Sequence, residues 1–337
     1  MIRGLLQAMK RMLLGVGMSC VAATVLAQAP DVERARKEGE VVWYTAMSTQ
    51  DAETLRRAFQ ERHPGINVTV LRQTGEKIRT RILSEMQARK FAWDVVSFNL
   101  LDMQALAQEG LLAAYRSRET QTGFPTAAVD PDGRWTAIYQ RQYVLAYNTR
   151  QVRADQAPRD WSDLLAPAWK GRLALDDSDV EWYGTMLEAM GRERGQEFMR
   201  SLARQGPTFR RGHTLLMSLL VAGDFPLAVV LSAEVEQAKK TGAPVDWVRT
   251  TNPVVTSASL MAISAKAPHP NAARVFADFV LSTEGQTEIQ RRGRTAVRTD
   301  LVTSGVAVPD KPYYVDPRLA EQFTSLEREY QDTFLKR

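Results

Sequence analysis

Apolar and polar positions switch between two periods along the chain. Val41-Val42-Trp43-Tyr44-Thr45 reads as a strand, and Ser48 or Thr49 then caps a helix with Ala52, Leu55 and Phe59 on one face. Pro64-Gly65 turns the chain into a second strand at 66–71. The loop Gln73-Thr74-Gly75-Glu76 leads to a helix that places Ile78, Ile82, Leu83 and Met86 on one face. A third strand, 94–98, ends at Asn99, and its helix closes at Gly110. The three polar loops at 46–50, 73–76 and 97–102 would share one edge of a parallel sheet, the edge where open α/β sheets take ligands. Further on, the pattern predicts strands at 135–139, 143–147, 172–175, 227–231, 245–248 and 254–264. Helices alternate with them, including 194–204, 271–281 and 284–293. A polar tail begins near Ser304 and is interrupted by Pro309, Pro312 and Pro317. No internal repeat is present. The expectation is an α/β protein of two lobes with two crossovers, residues 28–147 and 256–337 forming one lobe and 148–255 the other.

The stretch 210–236, RRGHTLLMSLLVAGDFPLAVVLSAEVE, carries the clearest candidate chemistry. Leucines at 215, 216, 219 and 220 recur at helical spacing, Thr214 reads as the N-cap, and Gly223 ends the helix. The first amides of a helix lack intrahelical partners and carry partial positive charge, so this turn suits an anion. Arg211 brings a planar guanidinium fork suited to carboxylate or phosphonate, against a plain surface role. His213 either donates to a ligand or merely opens the helix. Ser48-Thr49 and Thr74-Gly75 combine small side chains with helix starts, which serves an anion or capping alone. Asn99 ends the third strand on the same edge. Asp176, Asp177 and Asp179 resemble a hard-cation cluster but lack the spacing of a calcium loop, so helix capping is the plainer use. Trp182 and Tyr183 would stack on an organic ligand or fill core.

The 337 residues hold 44% hydrophobic and 25% charged positions, as in a globular protein of two ordinary domains. Arg3, Lys10 and Arg11, an apolar run at 13–26 and Val25-Leu26-Ala27 read as a signal peptide over residues 1–27. Its removal would lower the formal charge from +5 to +2, because those three cations go and no acidic residue does. Basic pairs are scattered, which argues against nucleic acid as a partner. The one cysteine, Cys20, lies inside the signal. A periplasmic location suits such a chain. His63, His213 and His269 lie far apart, and there is no nucleophile elbow, phosphate loop or dinucleotide motif, so no enzyme activity and no cofactor are expected.

Several segments, among them VVWYTAMSTQDAETL, RQTGEKIRTRIL, WDVVSFN, YVLAYNT, WSDLLAPAWKGRLAL, GHTLLMSLLVAGDFPLAVV, HPNAARVFADFVLSTEGQ and RRGRTAVRTD, run in the order seen in the extracellular solute-binding proteins of ABC importers. The chain resembles the branch that includes ferric-iron-binding proteins. The resemblance implies the type II periplasmic-binding fold, two α/β lobes joined by hinge strands. It also implies a small-molecule ligand handed to a membrane permease with its ATPase. Ferric-binding relatives place two adjacent tyrosines after the strand that matches 227–231, since phenolates suit a hard trivalent ion. Here that position reads Ser232-Ala233-Glu234. Tyr183 and Glu234 would be the oxygen donors left to an iron site. The expectation is therefore a monomeric carrier of a small anionic organic solute held by Ser48, Thr49, Thr74, Gly75, Asn99, Trp182, Tyr183, Arg211, His213, Thr214 and Glu234. Ferric-iron transport is the alternative, and a secreted enzyme on the same fold comes third.

Overall fold

The computed structural model describes residues 30–301 and 312–336, so the expected signal peptide and the first part of the tail, 302–311, lie outside the described residues. The chain opens with α1 (Val32–Glu38) and continues through β1 (Glu40–Thr45), α2 (Thr49–Arg62), β2 (Asn67–Arg72), α3 (Gly75–Gln87), β3 (Val95–Phe98) and α4 (Leu100–Gln108). β4 (Thr136–Asn148) leads into a second series. It comprises β5 (Leu173–Asp176), α5 (Val180–Met190), α6 (Arg192–Arg204), β6 (Thr208–Arg210), α7 (His213–Ala222), β7 (Leu227–Leu231), α8 (Ser232–Lys240) and β8 (Val245–Trp247). β9 (Val254–Ile263) returns, followed by α9 (Pro270–Leu281), α10 (Thr283–Arg291), β10 (Thr295–Ala296), β11 (Pro312–Tyr314) and α11 (Phe323–Phe334).

β1 lies between β2 and β3, parallel to both, and β9 runs antiparallel to β3. In the second lobe β5 lies between β6 and β7, parallel to both. β3, β5 and β7 are buried at every position, which is why β7 reads as an unbroken apolar run and β3 and β5 are apolar apart from Ser97 and Asp176, without alternation. Helices cover both faces. Trp43 of β1 meets Phe276 of α9 at 5.1 Å on one face of the first lobe, while Ile78 of α3 and Leu101 of α4 belong to the cluster on the other. Leu216 and Leu220 of α7 close the outer face of the second lobe with Val230 and Trp247.

β4 joins the two lobes. Residues 136–142 pair antiparallel with β9, and residues 143–147 pair with β7. The hydropathy pattern predicts two strands here, and the structure has one. The polar Gln140-Arg141-Gln142 between the apolar runs is not a turn but the crossing itself, where the strand passes the mouth of the cleft. The tail also departs from expectation. Residues 323–334 form a helix, and α11 packs on α5 and α6 of the second lobe instead of joining the first. Leu326, Tyr330 and Phe334 recur on one face of α11 and are buried, and the Tyr330 hydroxyl donates to the carbonyl of Asp176. α1 and β6 are short elements that the pattern did not mark.

Candidate functional site

Six helices begin at one cleft between the lobes. The N-caps of α2, α3, α4, α5, α7 and α8 are Ser48, Thr74, Asn99, Asp179, Gly212 and Leu231, and all six line it. Each helix follows a strand whose C-terminal end faces the cleft, β1, β2 and β3 from one lobe and β5, β6 and β7 running the opposite way from the other, so two facing sheet edges gather the helix starts. The cavity they enclose holds about 120 Å³.

The caps differ in what they leave free. Ser48 accepts from the Asp51 amide at 3.2 Å and Asn99 from the Asp102 amide at 2.9 Å. The other four caps make no side-chain capping bond. Two of their first-turn amides are spent on the backbone, Val180 N donating to Ser178 O at 2.8 Å and Leu215 N to Gly212 O at 3.1 Å, but the helix ends keep their partial positive charge. Gly75 lets α3 start close to α4, since a Cβ there would run into the Asp102 carboxylate. Gly212, not the expected Thr214, caps α7. Its φ of 93° favours glycine, and Asp176 fixes its amide at 2.8 Å, so the helix begins two residues earlier than the pattern suggests.

His213 is the first residue of α7. Its Nε2 lies 3.0 Å from Asp179 Oδ1, and its ring meets Tyr143 edge-on at 5.7 Å. Burial disfavours the charged imidazole, but Asp179, Asp176 and Glu234 outweigh that and raise its pKa to about 9. The protonated ring then offers Nδ1–H, which is buried and has no partner among the described residues. Thr74 Oγ1 and Glu234 Oε2 are buried and unpartnered as well. Asp102 Oδ1 also lacks a hydrogen bond, although Arg79 Nε lies within ion-pair range at 3.4 Å. Burial raises the pKa of Asp102 to about 6 against the pull of Arg79 and Asn99.

The other cleft charges answer one another. Arg141 in the crossing strand pairs with Glu181 at 3.3 Å. Arg294 pairs with Asp51 at 2.7 Å and comes within 3.9 Å of Glu234. Arg72 lines the cleft, spends its Nε on the carbonyl of Met47 at 3.1 Å, and has no ion-pair partner among the described residues. Asp176, Asp179 and His213 offer ligand atoms within 4.8 Å of one another. Asp176 already accepts from Gly212, from the Ser178 amide and from the Ser178 hydroxyl, so the protonated histidine answers the charge of this pair.

The structure brings together Ser48, Thr74, Gly75, Asn99, His213, Thr214 and Glu234 at the cleft. Thr49 is exposed and off the lining, because the chain turns it outward once Ser48 takes the cap. Arg211 stands at the rim and bridges Asp177 at 2.8 Å and Glu76 of the other lobe at 2.9 Å. Trp182 and Tyr183 are core residues. Trp182 packs on Trp161 at 5.8 Å, and Tyr183 meets Tyr330 at 5.4 Å with its hydroxyl at Thr333. They sit inside α5, on a face turned toward Trp161 and α11, so Tyr183 does not join Glu234 as an iron donor. Arg72, Asp102, Tyr139, Tyr143, Glu181 and Arg294 line the cleft and were not singled out from the sequence. The signal available for Arg294 was a cation just past a helix end, and Arg141, a charge between two apolar runs, reads from the sequence as a residue that would face the cleft near the hinge.

Two α/β lobes joined by a crossing strand, with a cleft ringed by helix N-termini, are the architecture of a two-lobe binding protein. The chain belongs to the bacterial extracellular solute-binding proteins, whose family model matches residues 54–313. It is similar to iron uptake protein A1 of Synechocystis, with 24% identity over 172 residues. That alignment covers 50% of this chain and 47% of the relative, so the chain spans about half the length of that curated relative. Among solved structures, iron-bound HitA of Pseudomonas aeruginosa aligns with a TM-score of 0.75 at 22% identity, covering 86% of this chain and 99% of HitA. The periplasmic binding protein AfuA of Actinobacillus pleuropneumoniae, with exogenous fructose-6-phosphate bound, aligns with a TM-score of 0.81 at 20% identity, over 88% of this chain and 98% of that one. These two likenesses establish the fold.

Proposed function

We propose that this chain captures a small anionic organic solute in the interlobe cleft and delivers it to a membrane permease driven by an ATPase. The observation that carries the reading is the convergence of six helix N-termini, four of them without a capping side chain. Such ends favour negative charge. The unpartnered Nδ1–H of His213 and the cleft-lining Arg72 favour it too. The unpartnered Glu234 Oε2 asks for a hydrogen-bond donor, so the solute carries hydroxyl or amine groups beside its anion. AfuA's fructose-6-phosphate is a ligand of that chemistry. A periplasmic location agrees with the periplasmic binding protein AfuA and with the signal-like pattern of residues 1–27. The protein acts as a monomer and a binder, not a catalyst.

Ferric iron is the second reading, favoured by the iron-binding relatives. Against it stand Ser232-Ala233 in place of a tyrosine pair and the burial of Tyr183 against α11. Isothermal titration calorimetry with fructose 6-phosphate and with inorganic phosphate tests the first reading. Binding of the ester and its loss in Thr74→Val support the reading. Heat from ferric citrate alone overturns it.

A further inference from the structure

Glu181 reaches from α5 of the second lobe to the first lobe. Its Oε1 accepts the amide of Leu100 at 3.2 Å, and its Oε2 accepts from Arg141 at 3.3 Å and from the Tyr143 hydroxyl at 3.1 Å. The side chain is 5% exposed. Leu100 is the first residue of α4, whose cap Asn99 spends its side-chain oxygen on Asp102, so the Leu100 amide has no acceptor within its own helix. A carboxylate at a helix N-terminus next to a guanidinium is the arrangement an anionic ligand would adopt. Here the chain supplies that anion itself, and one side chain joins α4, the crossing strand and α5. The Arg211–Glu76 bridge also spans the lobes, but both partners are more than a third exposed and the pair is screened.

We propose that Glu181 is an interlobe tie, a positioning residue whose carboxylate holds α4 against α5 so that the closed arrangement is populated through the chain's own groups. The tie operates whatever the identity of the solute. Apparent solute affinity then follows the closed fraction, and weakening the tie lowers that affinity by the factor by which the closed population falls.

The test is a distance measurement between spin labels on cysteines placed at Arg57 of α2 and Glu193 of α6, both exposed, in a full chain with Cys20 replaced by serine. No solute is added. The parent protein is expected to give a predominantly short distance, and Glu181→Ala a distribution shifted to longer distance. Leu100→Pro removes the amide half of the contact together with the buried leucine side chain, and Leu100→Ala controls for the side chain. Proline is favoured at the first helical position, and the extended ψ of 167° at Asn99 accepts a following proline. It is expected to lengthen the distance as Glu181→Ala does, while Leu100→Ala, which keeps the amide hydrogen, retains the parent distribution. Should Glu181→Ala lose cooperative unfolding, the two Leu100 variants carry the test alone. A parent distribution that is already long, or an unchanged one in Leu100→Pro, overturns the proposal.

Discussion

His213 is buried beside two aspartates and still carries a free donor, so its charge state sets how the cleft treats an anion. Its pKa lies near 9 in the folded chain against 6.5 in the free residue. A raised histidine pKa contributes stability that is fully present below 6.5 and is lost as pH rises through about 9. Affinity for an organic anion is expected to fall over the same upper range, measured by titration calorimetry between pH 7 and 10. His213→Gln removes a charged hydrogen bond, lowers affinity at pH 7 on the order of tenfold, and flattens that pH profile. Unchanged affinity in this variant would take the residue out of the site. Gly212 is the second test at this scale. An added Cβ at Gly212 would meet open space, so Gly212→Ala reports backbone strain alone, and a loss of roughly 1–3 kcal/mol in urea unfolding is expected. The Gly-His-Thr turn was legible as a helix start, because Gly and Thr before leucines at helical spacing mark one, while small residues there serve an anion or capping alone. The Asp179 side chain was not, because a run of aspartates before a helix reads as capping until the fold brings His213 against it.

The strand–loop–helix units at 46–50, 73–76 and 97–102 were legible because a strand and a helix have different hydrophobic periods, and the change of period marks the loop. The pattern could not say that β4 crosses the cleft, since a polar triplet between apolar runs looks the same as a turn. Nor could it separate stacking aromatics from core aromatics in α5. Trp182 and Tyr183 are buried on a face that only the packing of Trp161 and α11 reveals. Tyr183→Phe deletes a hydroxyl that lies 3.3 Å from the Thr333 hydroxyl. Stability is expected to change by no more than about 1 kcal/mol, with solute affinity unaffected. Tyr183→Ala leaves a cavity against Tyr330 and Phe334 and is expected to cost roughly 3–5 kcal/mol. A loss of ligand binding in the phenylalanine variant would restore the phenolate to the site and with it the case for iron.

The whole molecule is two lobes that share β4 and β9, and residues from both line the cleft. The resemblance in motif order carried this architecture further than periodicity did, and it left the solute open because Ser232-Ala233 stand where the resemblance to ferric-binding proteins implies a tyrosine pair. Arg211 belongs to this scale. Its bridge to Glu76 spans the cleft rim with both partners well exposed, so Arg211→Ala is expected to change unfolding stability by about 1 kcal/mol or less. Solute binding should weaken in the same variant, because the rim contact forms only when the lobes meet. The measurement that tests the central claim most directly is thermal unfolding of the full chain, followed with visible absorbance, against fructose 6-phosphate, a phosphonate, a dicarboxylate, inorganic phosphate and ferric citrate. A ligand that binds only the folded protein must raise the midpoint. A rise with a hydroxylated organic anion and no colour is the result predicted here. A rise with ferric citrate alone, accompanied by the visible band of iron–phenolate coordination, would contradict it.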